Sequence, residues 1–143
     1  MPGLSVFYTP DEVLGPTAHA WERALAATRC ETPSSQRTLF RDRCCRIGSS
    51  VYPGYPLESK ETDDVFVCLE GRIYGHDPAA TLDELLGVAV TDVDGISAGL
   101  RSLAREWDGD FIALIYAKQS QRLWIATDPM GRLPLYTRAA GRA

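Results

Sequence analysis

The side chains able to do chemistry are thinly spread along this chain. Its four cysteines are Cys30, Cys44, Cys45 and Cys68. None stands in a C-x-x-C pair, and the two histidines, His19 and His76, are isolated. A structural zinc site wants closely spaced thiol and imidazole ligands, so no metal site is expected. Cys68 sits in the apolar run Val65-Phe66-Val67-Cys68-Leu69, where a thiol reads as a small buried hydrophobe. The stretch from Arg37 to Arg46 holds Arg37, Arg41, Arg43 and Arg46. These read as a polar strand face or loop, with a binding role left open for one of them. Asp92 and Asp94 lie in Thr91-Asp92-Val93-Asp94, where a carboxylate also suits the N-cap of a helix.

Composition narrows the class. A chain of 143 residues suits a single domain, 1–143, able to bury a core without disulfides or metals. Hydrophobic residues make up 45% and charged residues 24%, as in an ordinary globular protein. The net charge of −4 and pI of about 5.1 argue against a nucleic-acid partner, whose binding face is usually basic. No apolar run is long enough to span a bilayer. The opening MPGLSVFYTP lacks the basic and apolar regions of a signal peptide. The expectation is a cytoplasmic protein without a membrane partner, in which disulfides are uncommon.

The elements that would position these residues follow from periodicity. Leu4–Tyr8 reads as a strand, ended by Thr9-Pro10-Asp11. Trp21 and Leu25 share a face in a helix expected at 17–28. Residues 31–36 read as a loop, and two short strands are expected between Thr38 and Tyr52. Pro53-Gly54-Tyr55-Pro56 breaks the pattern, and Glu58–Asp64 reads as a charged turn. Val65–Leu69 is a strongly apolar strand. Asp77-Pro78 signals a helix at 79–87, and Ile96, Leu100, Leu103 and Ala104 a second at 95–107. Phe111–Ala117 is an unbroken apolar run, suited to a strand covered on both faces. Leu123–Thr127 returns beside it as a hairpin. A turn at 128–131 and a short strand at 133–136 follow, with a frayed tail at 139–143. No regular β-α-β alternation is present, so an α+β layered domain with mainly antiparallel sheets is expected.

Three segments resemble one family, the last of them in two parts. Asp108-Gly109-Asp110-Phe111-Ile112-Ala113-Leu114-Ile115-Tyr116 looks like its D-G-x-F-A-F-A-L-W/Y strand. Ala126-Thr127-Asp128-Pro129-Met130-Gly131-Arg132-Leu133-Pro134-Leu135-Tyr136 resembles A-R-D-x-x-G-x-K-P-L-Y. Leu69-Glu70-Gly71-Arg72-Ile73-Tyr74-Gly75 resembles F-N-G-E-I-Y-N, and Met1-Pro2-Gly3-Leu4 stands where the family has M-C-G-I. Arg46-Ile47 aligns with the start of R-L-S-I-I-D. The family is that of the class II glutamine amidotransferases, with asparagine synthetase as the nearest branch. The resemblance implies an N-terminal-nucleophile fold, a four-layer αββα sandwich.

It also implies a chemistry that this chain departs from. In the family, a cysteine exposed by removal of Met1 attacks the glutamine amide, with its own α-amine as base. Here Pro2 replaces that nucleophile, and no catalytic residue is expected. The family's asparagine and glycine form the oxyanion hole. Glu70 replaces the asparagine, and an ionised carboxylate offers only acceptors where a donor is needed. Gly71 keeps the backbone donor. The resemblance further implies an aspartate for the substrate amine, with Asp92 or Asp94 as candidates, and an arginine for its carboxylate, with Arg46 as candidate. Asp128 and Gly131 are assigned to the turn.

The resulting expectation is a catalytically inactive glutaminase-like domain. It would be a structural or regulatory partner of an ATP-dependent, amide-forming domain of the asparagine-synthetase or β-lactam-synthetase kind. The chain lacks the S-G-G-x-D-S phosphate loop of such domains, so ATP and Mg are expected on the partner and no cofactor here. One alternative is a free-standing module binding an amino-acid-like ligand through Arg46, Glu70, Gly71, Asp92 or Asp94, with Glu70 facing an amine. Another is an enzyme using the secondary amine of Pro2.

Overall fold

In an extended strand, successive side chains point to opposite faces, and here both faces of the central strands are apolar. The computed structural model describes residues 3–10, 23 and 35–137. The chain runs through β1 (Gly3–Tyr8), β2 (Ser35–Arg41), β3 (Cys45–Val51), β4 (Leu57–Glu61) and β5 (Val65–Ile73). Helices α1 (Pro78–Ala89) and α2 (Val93–Glu106) follow, then β6 (Gly109–Ala117) and β7 (Arg122–Thr127).

The strands form two antiparallel sheets, one ordered β1-β3-β2 and the other β4-β5-β6-β7. In β5, odd-numbered Val65, Val67 and Leu69 pack on one side against Leu82 and Leu85 of α1 and Ile96 of α2. Even-numbered Phe66 and Cys68 pack on the other side against Phe40 and Ile47 of the three-stranded sheet. The described residues therefore stack as sheet, sheet and helix layer, and the α+β class holds. Phe40 and Phe66 stack across the inter-sheet layer with centroids 5.1 Å apart. Such a pair adds about 0.5–1.5 kcal/mol beyond its buried area.

The helices begin where their caps dictate. The Asp77 carboxylate accepts from the N–H of Ala80 at 3.1 Å, with Pro78 in the first turn. The Asp92 carboxylate accepts from the N–H of Gly95 at 2.7 Å. Trp107 caps the end of α2, is buried, and donates its indole N–H to Glu84 at 3.0 Å.

Three sequence expectations are corrected. Ser35 and Gln36, expected in a loop, already pair with Val51 and Ser50 in β2. The charged stretch expected as a turn from Glu58 contains β4, an edge strand that buries Leu57 and exposes Glu58–Glu61 to water. Edge strands carry charge without penalty, and that disguises them. Residues 133–136, expected as a strand, are not in one; Pro134 removes a donor that a ladder would need. Helix α1 extends past its expected limits at both ends and passes through Gly87, while α2 begins earlier than expected, at Val93, and ends at Glu106. Apart from the helical residue Arg23, the helix expected at 17–28 lies outside the described residues, as do Pro2, Cys30 and the tail at 139–143.

Candidate functional site between the two sheets

Glu70 continues the inter-sheet face of β5 beyond Phe66 and Cys68. It is only 6% exposed. Burying a carboxylate is costly unless it is hydrogen-bonded, and two other segments meet that need. The backbone N–H of Leu4, at the start of β1, donates to Glu70 Oε2 at 3.3 Å. The hydroxyl of Tyr55, in the connection between β3 and β4, donates to Glu70 Oε1. Burial pushes the Glu70 carboxyl above its ordinary range, and the bonds from Tyr55 and Leu4 pull it part of the way back. Burial and the Glu70 carboxylate likewise push the Tyr55 hydroxyl up.

Gly71 is where the backbone must be bare. Its φ is +95°, and a Cβ there would lie 1.9 Å from the Asp110 carbonyl oxygen. Only glycine meets both demands. Its N–H donates to the Pro56 carbonyl at 2.8 Å. The sequence reading left this donor available for an oxyanion; in the structure it is engaged within the fold. Glu70 and Gly71 thus clasp the 55–56 connection from both sides of one peptide.

Sheet register places further residues on the inter-sheet face. Leu4 pairs with Ser49, and Ser49 with Arg37. Residues directly opposite one another share a face. Ser49 shares its face of β3 with Ile47 and Val51, both in the inter-sheet core, so this row faces the second sheet. Ser49 is fully buried, and its hydroxyl has no hydrogen-bond partner. The Arg37 charge is felt at the buried Cys68 thiol, where it opposes the upward push of burial and of Glu70 and Glu58.

The other sequence candidates are not brought to this place. Arg46 alternates with inward-facing Cys45 and Ile47, so its side chain leaves β3 on the opposite face of the sheet. Asp92 is exposed and caps α2, and Asp94 is exposed in its first turn. That helix lies across the four-stranded sheet from Glu70, because Ile96 and Leu100 pack with Val67 and Leu69. Sequence reasoning missed Leu4 and Tyr55 as partners of Glu70. Only Tyr55 carried a signal, as an aromatic residue inside the Pro53–Pro56 turn.

The cysteines among the described residues are closed off. Cys44, Cys45 and Cys68 are free and buried. Burial, with Asp42 and Cys44 nearby, pushes the Cys45 thiol up to about 12. Among the described residues no three His, Cys, Asp or Glu side chains are placed to hold a metal ion. No helix among them is long and apolar enough to cross a membrane.

The segment after β7 is built as a turn. The buried Asp128 carboxylate accepts from the N–H of Met130 at 2.9 Å and of Arg132 at 3.1 Å, and Gly131 takes φ +60°. Arg132 then reaches Asp110 at 3.0 Å, on which Tyr74 also donates at 2.7 Å. These contacts brace the ends of β5, β6 and β7 beside a surface recess of about 220 Å³ next to Trp107.

Comparison of the chain with protein-family models, with curated proteins and with solved structures finds no match.

Proposed function

We propose that this chain is a catalytically silent glutaminase-like domain of the N-terminal-nucleophile type. It serves as a structural or regulatory partner of an ATP-dependent, amide-forming synthetase domain. In this reading the two stacked antiparallel sheets and the α1–α2 layer are three layers of an αββα sandwich, in the cytoplasm. ATP and Mg belong to the partner.

One observation carries the reading. The motif Leu69-Glu70-Gly71 lies against the start of β1, where the resemblance puts the nucleophile beside the oxyanion hole, yet both donors of such a hole are gone. Glu70 offers acceptors only, and the Gly71 N–H is bonded to Pro56. A single aimed donor is worth about 3–4 kcal/mol of transition-state stabilisation, so losing two, with Pro2 in place of the thiol, leaves no amidase chemistry.

The test has two parts. Glutamate and ammonia release from glutamine is measured on the purified chain, and silence is expected. A synthetase bearing the S-G-G-x-D-S loop and encoded beside the chain is then assayed for amide formation. Activity that needs the chain but not glutamine supports the reading. Activity indifferent to the chain contradicts the partner role.

A further inference from the structure

The donors around Glu70 describe a site in their own right. The Leu4 N–H comes from β1 and the Tyr55 hydroxyl from the β3–β4 connection, and both point at one buried carboxylate. The row Arg37–Ser49–Leu4 crosses the three-stranded sheet on the same inter-sheet face. It runs from exposed Arg37 on one edge strand through buried Ser49 on the central strand to Leu4 on the other edge strand. The Ser49 hydroxyl is fully buried and bonds to nothing. A hydroxyl and a backbone N–H aimed at one point between two sheets make a binding site for a carboxylate.

We propose that this inter-sheet site is a carboxylate-binding site whose resident ligand is the chain's own Glu70. The Glu70 side chain occupies both donors, the Leu4 N–H and the Tyr55 hydroxyl. A small organic carboxylate is then excluded from the natural protein and admitted when the Glu70 side chain is cut back. The inference deepens the reading of Glu70 as an acceptor standing where the family has a donor, and it concerns binding alone.

The experiment is thermal denaturation of the whole chain and of Glu70→Ala in rising sodium acetate, against sodium chloride at matched ionic strength. Glu70→Ala is expected to gain a saturable stabilisation by acetate. Its apparent affinity should exceed that of the natural chain by about tenfold or more, the scale of one charge-assisted hydrogen bond. Adding Tyr55→Phe to Glu70→Ala should weaken that response. Glu70→Gln, which keeps the side-chain volume and one carbonyl acceptor, should show none. If Glu70→Ala is unfolded in chloride, its circular dichroism is followed in acetate, where recovery of structure supports the site and no recovery overturns it. Equal responses of the natural chain and Glu70→Ala, or no saturable response in either, would also overturn it. Neither result bears on glutamine turnover, so the silent-domain reading stands or falls separately.

Discussion

The carboxylate of Glu70 accepts the backbone N–H of Leu4 at 3.3 Å, so a side chain of the second sheet ties down the start of the first strand of the first sheet. The Tyr55 hydroxyl shares the same carboxylate and ties in the connection between the sheets. Removing this side chain leaves an N–H and a hydroxyl inside without a partner. Each unsatisfied group costs about 1–3 kcal/mol. Glu70→Ala is therefore expected to lose about 2–4 kcal/mol in urea denaturation. A loss below about 0.5 kcal/mol would show that the clasp contributes little.

The pH dependence of that clasp has a defined sign. Burial raises the Glu70 carboxyl above its ordinary value, so the folded chain holds this proton more tightly than the unfolded chain. Its contribution is fully present below the unfolded value and is lost as pH rises through the folded one. The melting temperature of the natural chain minus that of Glu70→Gln should therefore fall as pH increases from about 4. A difference that grows with pH would mean that hydrogen bonding to the carboxylate outweighs its burial.

Gly71 tolerates no side chain. A Cβ would meet the Asp110 carbonyl at 1.9 Å with φ at +95°. Gly71→Ala should cost about 4 kcal/mol or more and abolish a cooperative unfolding transition. Unchanged stability would remove the argument that this glycine is held by the fold.

Asp92 is a cap. Replacing it by alanine should cost about 1 kcal/mol, while asparagine, an equally good cap, should be nearly neutral. A loss that asparagine fails to restore would point to a charge-dependent role instead.

The buried thiols should be inert. Cys44, Cys45 and Cys68 are buried, and Cys45 is pushed up to about 12, so little thiolate exists near neutrality. Iodoacetamide followed by peptide mass mapping should leave all three unmodified in the native chain and modify them in urea. Fast native labelling of Cys45 would contradict the packing between the sheets.

The sequence announced some of this architecture through strong local signals. Phe111–Ala117 and Val65–Leu69 are apolar on both faces, and they became the two central strands. Asp77-Pro78 began a helix because both residues act locally. Where the signal was tertiary, it failed. β4 was hidden because an edge strand exposes Glu58 and Lys60 as a turn would. Leu133-Pro134-Leu135-Tyr136 was apolar enough to suggest a strand, but nothing pairs it into a ladder. At the site, the residue types of Glu70 and Gly71 were informative because their chemistry conflicts with a donor role. The Pro56 carbonyl that occupies the Gly71 N–H, and the Ser49 hydroxyl opposite Leu4, depend on sheet register. No spacing in the chain encodes them.

Glutamine hydrolysis tests the central claim most directly. Glutamate release would be measured on the natural chain, on Pro2→Cys, and on Pro2→Cys with Glu70→Asn. The account predicts no release from the natural chain or from Pro2→Cys alone, because the thiol would still lack oxyanion donors. Glutamate released by the natural chain would contradict it and require a nucleophile other than the buried cysteines.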